Sequence, residues 1–161
     1  MTTPDIQRLS APDLPRVAAL ARTIWPVAFE GLIPADEIPK IVDTIYSDAQ
    51  LEADMEAGHA FWIARITGRD MGFCAAFREG ETIWLKKLYI LPEAQGSGLG
   101  TVLTETAIRQ FSPAREISLF VKNDNEKAIG FYQRSGFRVA REVPVVMGHM
   151  HFTDFVMTRP L

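Results

Sequence analysis

The segment Gln95-Gly96-Ser97-Gly98-Leu99-Gly100 is the most informative stretch of this sequence. It follows an apolar strand candidate at residues 85–90 and opens a helix candidate that runs to about Phe111. Glycine at every second position leaves the backbone N–H groups unshielded by side chains. The helix start adds a partial positive charge, and such a loop binds phosphate. The sequence therefore predicts a ligand that carries phosphate or pyrophosphate.

The spacing of the glycines distinguishes between kinds of phosphate loop. A P-loop requires G-x-x-x-x-G-K-[ST], and no Lys-Ser/Thr pair follows at the required distance. A dinucleotide fingerprint requires a third glycine where this chain has Thr101. The remaining pattern, Q/R-x-x-G-x-G, is satisfied by Gln95, Gly98 and Gly100. It resembles the acetyl-CoA pyrophosphate loop of the GNAT (Gcn5-related N-acetyltransferase) superfamily, although a flexible turn before a helix is the simpler alternative.

A second segment, residues 125–137, resembles the other GNAT signature, N-x-x-A-x-x-F-Y-x-[KR]-x-G-F. Every defining position matches: Asn125, Ala128, Phe131, Tyr132, Arg134, Gly136 and Phe137. The segment follows a strand candidate at residues 117–121, in the order that the family requires. The two motifs with their strands cover residues 85–137, about a third of the chain. The pairing of two motifs is far more specific than a glycine-rich loop alone.

Composition indicates a small globular enzyme. The 161 residues, 47% of them apolar and 23% charged, predict a single domain over 1–161. The resemblance implies that it is an N-acetyltransferase domain. A net charge of −3 argues against a general nucleic-acid surface and weakly suits a cationic acceptor. The sequence shows no secretory signal, and no apolar run approaches the ~20 residues of a membrane span. We expect a cytoplasmic protein with no nucleic-acid or membrane partner.

Hydrophobic spacing predicts the secondary structure around the motifs. A helix begins near Ser10 and carries an apolar stripe to Ile24, where Pro26 interrupts or ends it. A second helix follows Pro34, and a third begins at Ser47 and stops at Gly58. Strand candidates lie at residues 60–66, 71–77 and 82–90, and closing strands at 139–146 and 152–158.

The resemblance implies an α/β (α+β) GNAT fold. In that fold a mixed sheet of about six to seven strands is flanked by helices, and two parallel strands splay apart to hold the pantetheine arm. The implied cofactor is acetyl-CoA, that is, an acylated coenzyme A. The positions that the resemblance implies for binding it are Leu88, Tyr89, Ile90, Gln95, Gly96, Ser97, Gly98, Leu99, Gly100, Thr101, Asn125, Ala128, Phe131, Tyr132 and Arg134. A strand bulge is expected near residues 88–90.

Tyr132 is the predicted general acid. Direct acetyl transfer must protonate the thiolate of coenzyme A, and a phenol of pKa ~10 can deliver that proton. The resemblance implies that Tyr132 lies at the sulfur; core packing beside Phe131 is the alternative. A backbone N–H near Tyr89 is expected to polarise the thioester oxygen. A covalent route through Cys74 is disfavoured because this cysteine lies outside both motifs.

The general base has no motif to identify it. Glu30 is the predicted base, because family acceptor sites are built partly from the segment that joins the first helices. Trp25 and Phe29 precede it, and aromatic faces beside a carboxylate suit an alkylammonium chain. Core packing of the two aromatic rings is an equally good interpretation. Other base candidates by location are Glu79, Glu81, Asp154 and Tyr89.

No metal site is predicted. His149 and His151 alternate along a strand candidate, but no cluster of further ligands with metal-binding spacing accompanies them. We interpret them as surface or dimer-contact residues. The apolar end at residues 152–161 is a candidate homodimer interface by analogy with the family.

The predicted function is transfer of an acetyl group from acetyl-CoA directly to a primary amine of a small molecule. A looser similarity to bacterial polyamine (spermidine/spermine) N-acetyltransferases suggests a polyamine, although residues 142–146 carry less acid than that subgroup does. One alternative is acetylation of a protein N-terminus or lysine. Another, from a different class, is a non-catalytic acyl-CoA-binding sensor.

Overall fold

The structure, a computed structural model, describes residues 3–161. Its strands are β1 (Asp5–Arg8), β2 (Ala60–Ile66), β3 (Arg69–Glu79), β4 (Thr82–Ile90), β5 (Glu116–Lys122), β6 (Arg138–Met147) and β7 (Met150–Pro160). Its helices are α1 (Leu14–Ala28), α2 (Ile38–Ile45), α3 (Asp48–Glu56), α4 (Leu99–Phe111) and α5 (Glu126–Arg134), with short 3₁₀ turns at Ala11–Asp13 and Pro92–Ala94.

The described strands form one mixed sheet in the order β1-β2-β3-β4-β5-β7-β6. All neighbours are antiparallel except β4 and β5, which run parallel. Their ladder covers only three residue pairs, from Thr82 with Glu116 to Trp84 with Ser118. Beyond Trp84 the two strands separate, so a wedge opens between them. The predicted α/β (α+β) fold with a splayed parallel pair is confirmed.

Different helices pack on the two faces of the sheet. The sulfur of Cys74 in β3 lies 3.7 Å from the Leu103 carbonyl oxygen of α4, so this sheet face packs on α4. Phe73, the next residue, points to the opposite face, where its ring meets that of Tyr46 at the end of α2. We call these the α4 face and the α1 face. Buried apolar side chains on both faces form the core.

A bulge in β4 reverses the side-chain alternation of that strand. Ala76 pairs with Leu85, but Ala75 pairs with Lys87, so Lys86 is the extra residue. The shift turns Lys87 onto the α1 face, where it is only 3% exposed. A bulge near residues 88–90 was expected, and it lies slightly earlier in the strand. Beyond it, Tyr89 also lies on the α1 face, opposite Phe73.

Most predicted elements are confirmed, one local prediction is wrong and one short strand was missed. Helix α1 does not end at Pro26 but continues to Ala28 with this proline inside it. Because Pro26 lies in the last turn, its missing N–H removes only one helical hydrogen bond. The Phe29 N–H still donates to the Trp25 carbonyl at 3.0 Å. Strand β1 was not predicted, because four residues carry too little alternation. By contrast, Ser47 caps α3 as predicted, accepting a bond from the Gln50 N–H at 3.1 Å.

The C-terminal strand is internal. Strand β7 lies between β5 and β6, so its backbone pairs on both sides and β6 forms the sheet edge. Most of the predicted dimer interface at residues 152–161 is therefore engaged within the sheet, and the homodimer stays a prediction. Among residues 3–161, no helix is both long and apolar enough to cross a membrane.

Candidate active site at the splayed strands

The open edge of β4 presents unpaired backbone groups to the wedge. The Leu91 N–H bonds the Met71 carbonyl of β3 at 2.8 Å, which places the backbone groups of residues 89 and 91 toward β3. By alternation, those of Leu88 and Ile90 point into the wedge. The Ile90 carbonyl accepts from the Gln95 side chain at 3.2 Å. The Leu88 N–H and C=O and the Ile90 N–H are therefore placed to pair with an extended ligand.

The glycine-rich loop lies directly after β4 and ends at the N-terminus of α4. Gly98 is the N-cap and adopts φ 87°, in the left-handed region that favours glycine. No side chain caps this helix, so its first-turn N–H groups are free to meet a ligand. A Cβ on Gly100 would lie 2.8 Å from the Phe131 ring, so the third glycine allows α4 and α5 to pack closely. The loop retains an anion-binding geometry in which each glycine has a role.

Helix α5 supplies polar groups to the other side of the wedge. Asn125 is its N-cap, and the Asn125 Oδ1 accepts from the Ala128 N–H at 3.2 Å, which leaves the amide NH₂ to donate. Lys127 donates from Nζ to the Gln95 Oε1 at 2.6 Å, which ties α5 to the loop. This lysine was not predicted. Its position one turn into the second motif, facing a phosphate loop, is the signal that could have found it.

The wedge, the loop and the helices enclose a groove of about 470 Å³. Thirteen of the fifteen predicted binding positions line it, all except Ser97 and Thr101. The Ser97 hydroxyl instead bonds the Ala94 carbonyl. The residues that line the groove without having been predicted for cofactor binding are Ile24, Val27, Ala28, Phe29, Ala94 and Lys127. The end of α1 is thus a wall of the groove.

Tyr132 and Tyr89 both line the groove. The Tyr132 ring packs edge-on against Phe131 and Phe137, at centroid distances of 5.2 and 5.5 Å. Burial raises the pKa of both Tyr132 and Tyr89 well above the usual value. Both phenols therefore stay protonated at neutral pH. Tyr132 can donate a proton into the groove, whereas a phenolate base at Tyr89 is disfavoured.

Aromatic side chains on the α1 face surround Tyr89. The Trp25 ring centroid lies 4.5 Å from that of Phe29 and 5.5 Å from that of Tyr89. The Trp25 Nε1–H donates to the Tyr46 hydroxyl at 3.1 Å, which fixes the indole. Trp25 is buried, as core packing requires, whereas Phe29 is partly exposed and lines the groove. A role for this pair in binding the acceptor stays a prediction.

A buried charge lies beneath this aromatic group. The Lys87 Nζ is 3.8 Å from the Asp54 Oδ2 and 5.4 Å from the centre of the Tyr46 ring. Burial lowers the pKa of Lys87 to about 8. The sequence does not indicate this burial. The bulge at Lys86 places Lys87 on the α1 face, and no local sequence pattern reveals that bulge.

The candidate bases differ in position. Glu30 is exposed in the turn after α1, and its role as base stays a prediction. Glu79 and Glu81 lie at the β3–β4 turn, at the opposite end of β4 from Tyr89. Asp154 in β7 is partly buried, and its charge adds to burial in raising the pKa of Tyr89.

Nucleophilic and metal chemistry find little support in the described residues. Cys74 is fully buried, and burial raises the pKa of its thiol far above the usual value, which disfavours a thiolate nucleophile. No group of three or more His, Cys, Asp or Glu side chains in the described part of the chain is placed to hold a metal ion. His149 lies at the β6–β7 turn, with its Nε2 3.6 Å from the Glu37 Oε1.

The arrangement fits a long ligand with a pyrophosphate and an amide-rich arm. Free N–H groups at α4 suit the pyrophosphate, and the open edge of β4 suits the arm as an added strand. The arm would end beside Tyr132, which carries a proton, and beside the wedge-facing N–H groups of Leu88 and Ile90. Such a site can protonate a leaving group and stabilise a developing oxyanion.

Comparison with known proteins agrees with this geometry. A model of the acetyltransferase (GNAT) domain matches residues 57–139. An uncharacterised N-acetyltransferase of Mycobacterium bovis is 29% identical over 153 residues, which span 92% of this chain and 98% of that protein. The peptidyl-lysine N-acetyltransferase YjaB of Escherichia coli is 44% identical over 52 residues, 32% of this chain and 33% of that protein.

Solved structures share the fold. The crystal structure of a PaiA N-acetyltransferase from Thermoplasma acidophilum in complex with coenzyme A superposes with a TM-score of 0.83. The alignment covers 99% of each chain at 23% sequence identity.

Proposed function

The chain belongs to the GNAT acetyltransferases and is an N-acetyltransferase that uses acetyl-CoA, and we propose that its acceptor is the primary amine of a small molecule. The observation that carries the proposal is the continuity of the groove with the aromatic group on the α1 face. Phe29 lines the groove that Tyr132 also lines, and its ring centroid lies 6.2 Å from that of Tyr89. An alkylamine chain can lie on these aromatic faces with its nitrogen near the sulfur end of the groove.

The proposed chemistry is direct transfer without a covalent enzyme intermediate. Bound acetyl-CoA supplies the acetyl group as an activated thioester. The wedge-facing N–H of Leu88 or Ile90 donates to the thioester oxygen as negative charge develops there. Tyr132 gives its hydroxyl proton to the departing sulfur, and its raised pKa keeps that proton in place until it is needed. Glu30 remains the base proposed from the sequence.

A polyamine is the finer proposal within this class. A spermidine-like chain offers an alkylammonium body for Trp25 and Phe29 and a terminal primary amine for transfer. The weak acidity of residues 142–146 leaves fewer anionic partners for the distal ammonium groups. A shorter diamine or a single alkylamine fits the same aromatic surface.

A lysine side chain of a protein is the second candidate. The local similarity to the peptidyl-lysine N-acetyltransferase YjaB favours it, and a lysine presents the same alkylamine chemistry. A homodimer also remains part of the proposal, and sedimentation velocity measures it. Partly exposed Trp84 and exposed Phe120, stacked at 5.1 Å on the α1 face, extend the apolar surface available to a partner.

The test is release of the coenzyme A thiol from acetyl-CoA in the presence of single amines. The panel contains spermidine, spermine, short diamines, aminoglycosides, free amino acids and lysine peptides. Turnover with a small amine above the rate with lysine peptides supports the proposal. Turnover with peptides alone favours the lysine alternative. Binding of acetyl-CoA without turnover of any amine contradicts the acceptor proposal.

A further inference from the structure

Asp154 lies on the α1 face of the sheet, at the open end of the wedge. It pairs across β5 with Lys122, and alternation along β5 places Lys122, Phe120 and Ser118 on one face. That face is the α1 face, because the Phe120 ring stacks on Trp84, and Trp84 pairs with Phe77 of β3. Asp154 and Tyr89 therefore lie on the same face of the sheet, with β5 and the wedge between their strands.

Lys122 is the cation expected to pair with Asp154, but it binds another carboxylate. Lys122 is the cross-strand neighbour of Asp154, but the Lys122 ammonium binds both carboxylate oxygens of Asp124, at 2.8 and 2.9 Å. The same ammonium lies 5.4 Å from the centre of the Phe152 ring. Within residues 3–161, no side chain forms an ion pair or a hydrogen bond with Asp154. A partly buried carboxylate thus has no protein cation bound to it and is available to a cationic ligand.

The surroundings of Asp154 define what that ligand must be. The titratable groups that interact electrostatically with Asp154 are Tyr89 of β4 and Lys122 of β5, and Tyr132 of α5 interacts with Tyr89. On β6 its cross-strand neighbour is the apolar Val143. Burial raises the pKa of Asp154, and the Lys122 charge opposes this only in part. A ligand with a positive charge and an apolar body matches this setting.

We propose that Asp154 binds the ammonium group of the acceptor and accepts its proton before attack on the thioester. The proposal rests on the proposed function, in that the acceptor is an alkylamine. It adds to Glu30, which is exposed, a partly buried base candidate on the same sheet face as Tyr89, which lines the groove. It also implies that the acceptor enters from the α1 face of the sheet, which is the face opposite helix α4.

The protons balance in this scheme. The acceptor enters as R–NH₃⁺ and loses one proton to the Asp154 carboxylate, which passes it to solvent. The amine nitrogen forms the new N–C bond, and the C–S bond breaks with its electron pair on sulfur. Tyr132 gives its proton to that sulfur and regains one from the acylated nitrogen. The sum is R–NH₃⁺ plus acetyl-CoA giving the acetamide, the free thiol and one proton.

The first test compares Asp154→Asn with Glu142→Gln in steady-state kinetics with spermidine and with n-butylamine. Glu142 is an exposed acid in the adjacent strand, opposite Phe155. We expect Asp154→Asn to lower kcat/KM for the amine about 100-fold, within the range of a lost general base. It should also remove the fall of kcat/KM at acidic pH, with the KM of acetyl-CoA unchanged. Rates for Asp154→Asn that match those for Glu142→Gln would overturn the proposal.

A second variant tests whether the pairing of Lys122 with Asp124 keeps Asp154 free for the acceptor. Asp124→Asn removes the partner of the Lys122 ammonium, which is then free to pair with Asp154 and to compete with the acceptor. We expect the KM of the amine to rise several-fold, and the double variant Asp124→Asn, Lys122→Met to recover. A KM for Asp124→Asn equal to the parent value would contradict the role given to Asp154.

A measurement without turnover separates this proposal from the proposed function. The carboxyl carbon of Asp154 is followed by NMR through a pH titration of the coenzyme A complex, with and without n-butylamine, using Asp154→Asn for assignment. An alkylammonium bound at Asp154 lowers the pKa of the carboxyl group. An unchanged pKa overturns the proposal even if amines are acetylated. A lowered pKa supports ammonium binding even if no panel amine is turned over.

Discussion

The two faces of β4 are built on different principles. On the α4 side, the phosphate loop and the helix starts act through backbone N–H groups, and glycine is required by φ 87° at Gly98 and by close packing at Gly100. On the α1 side, the proposed acceptor site uses the side chains of Trp25, Tyr89 and Asp154, brought from α1, β4 and β7. The first surface is built from two short local motifs, whereas the second exists only in the folded protein.

This difference separates what the family shares from what one enzyme selects. In our proposal, backbone groups bind the pyrophosphate and pantetheine arm that every acetyl-CoA carries. Side chains from distant elements bind the acceptor, which differs between enzymes. Changes on the α4 side should therefore affect cofactor affinity, and changes on the α1 side should affect the acceptor.

The largest effect is expected on the cofactor side, for Gly98→Glu. The new carboxylate lies at the N-terminus of α4 and repels phosphate where the first-turn N–H groups bind it. Losing two hydrogen bonds to a charged group, at about 1.5–3 kcal/mol each, predicts roughly 1000-fold weaker binding of acetyl-CoA or more.

Calorimetric titration measures the affinity, with Gly68→Glu as the control. Gly68 has φ +76°, and, as at Gly98, no atom lies within 4 Å of the position that a Cβ would take, so the backbone strain is matched. It lies in the β2–β3 turn, away from the groove. Equal affinities for the two variants would refute the phosphate loop.

The second-largest effect is expected for Tyr132→Phe, which separates catalysis from the binding of acetyl-CoA. Tyr132→Phe keeps the ring packing against Phe131 and Phe137 but removes the proton donor. We expect kcat to fall about 100- to 1000-fold, as for loss of a general acid, with unchanged affinity for acetyl-CoA. Single-turnover rates and calorimetry measure the two quantities. A parent-like kcat would rule out Tyr132 as the acid and would leave its ring a packing element.

The buried charge on the α1 face should make stability depend on pH. Burial lowers the pKa of Lys87 to about 8, whereas an unfolded lysine titrates near 10.4. Between these values the unfolded chain binds more protons, so the free energy of unfolding rises with pH. We expect a rise of about 1–2 kcal/mol between pH 8 and 9.5, measured by urea denaturation.

Two neighbouring lysines provide the contrast for this prediction. Lys87→Met should abolish the rise, while Lys86→Met should keep it because Lys86 is exposed in the bulge. A rise that persists in Lys87→Met would place the titrating group elsewhere.

The smallest effect is expected where the β6–β7 turn meets the segment before α2. The His149 Nε2 lies 3.6 Å from the Glu37 Oε1, with His149 78% exposed. Exposed ion pairs contribute little, so His149→Gln should change the melting temperature by less than about 4 °C. The KM of the amine should change by at most about threefold. His151→Gln is the control, and a large loss of acetyl-CoA affinity in His149→Gln would contradict the separation of the two faces.

The sequence predicted the α4 side well for a physical reason. Glycine spacing and the second motif specify backbone geometry locally, so loop, helix α4 and helix α5 follow from neighbouring residues. Thirteen predicted positions line the groove. Lys127 was missed because its bond to Gln95 joins two motifs that are separate in sequence.

The α1 side could not be predicted to the same depth. The bulge at Lys86 depends on pairing with β3, and it decides that Lys87 and Tyr89 lie on the α1 face, opposite to Leu85. The position of Asp154 depends on β7 lying between β5 and β6, and its lack of a partner depends on the bond between Lys122 and Asp124. These are tertiary relations with no local pattern.

The most direct test of the two-face account is a two-step titration followed by backbone and side-chain NMR. Coenzyme A is added first, and n-butylamine second. The account predicts that the first step shifts Gly96, Gly98 and Lys127, and that the second shifts Phe29, Tyr89 and Asp154. Amine-induced shifts confined to the loop and α4, with Asp154 unchanged, would contradict it.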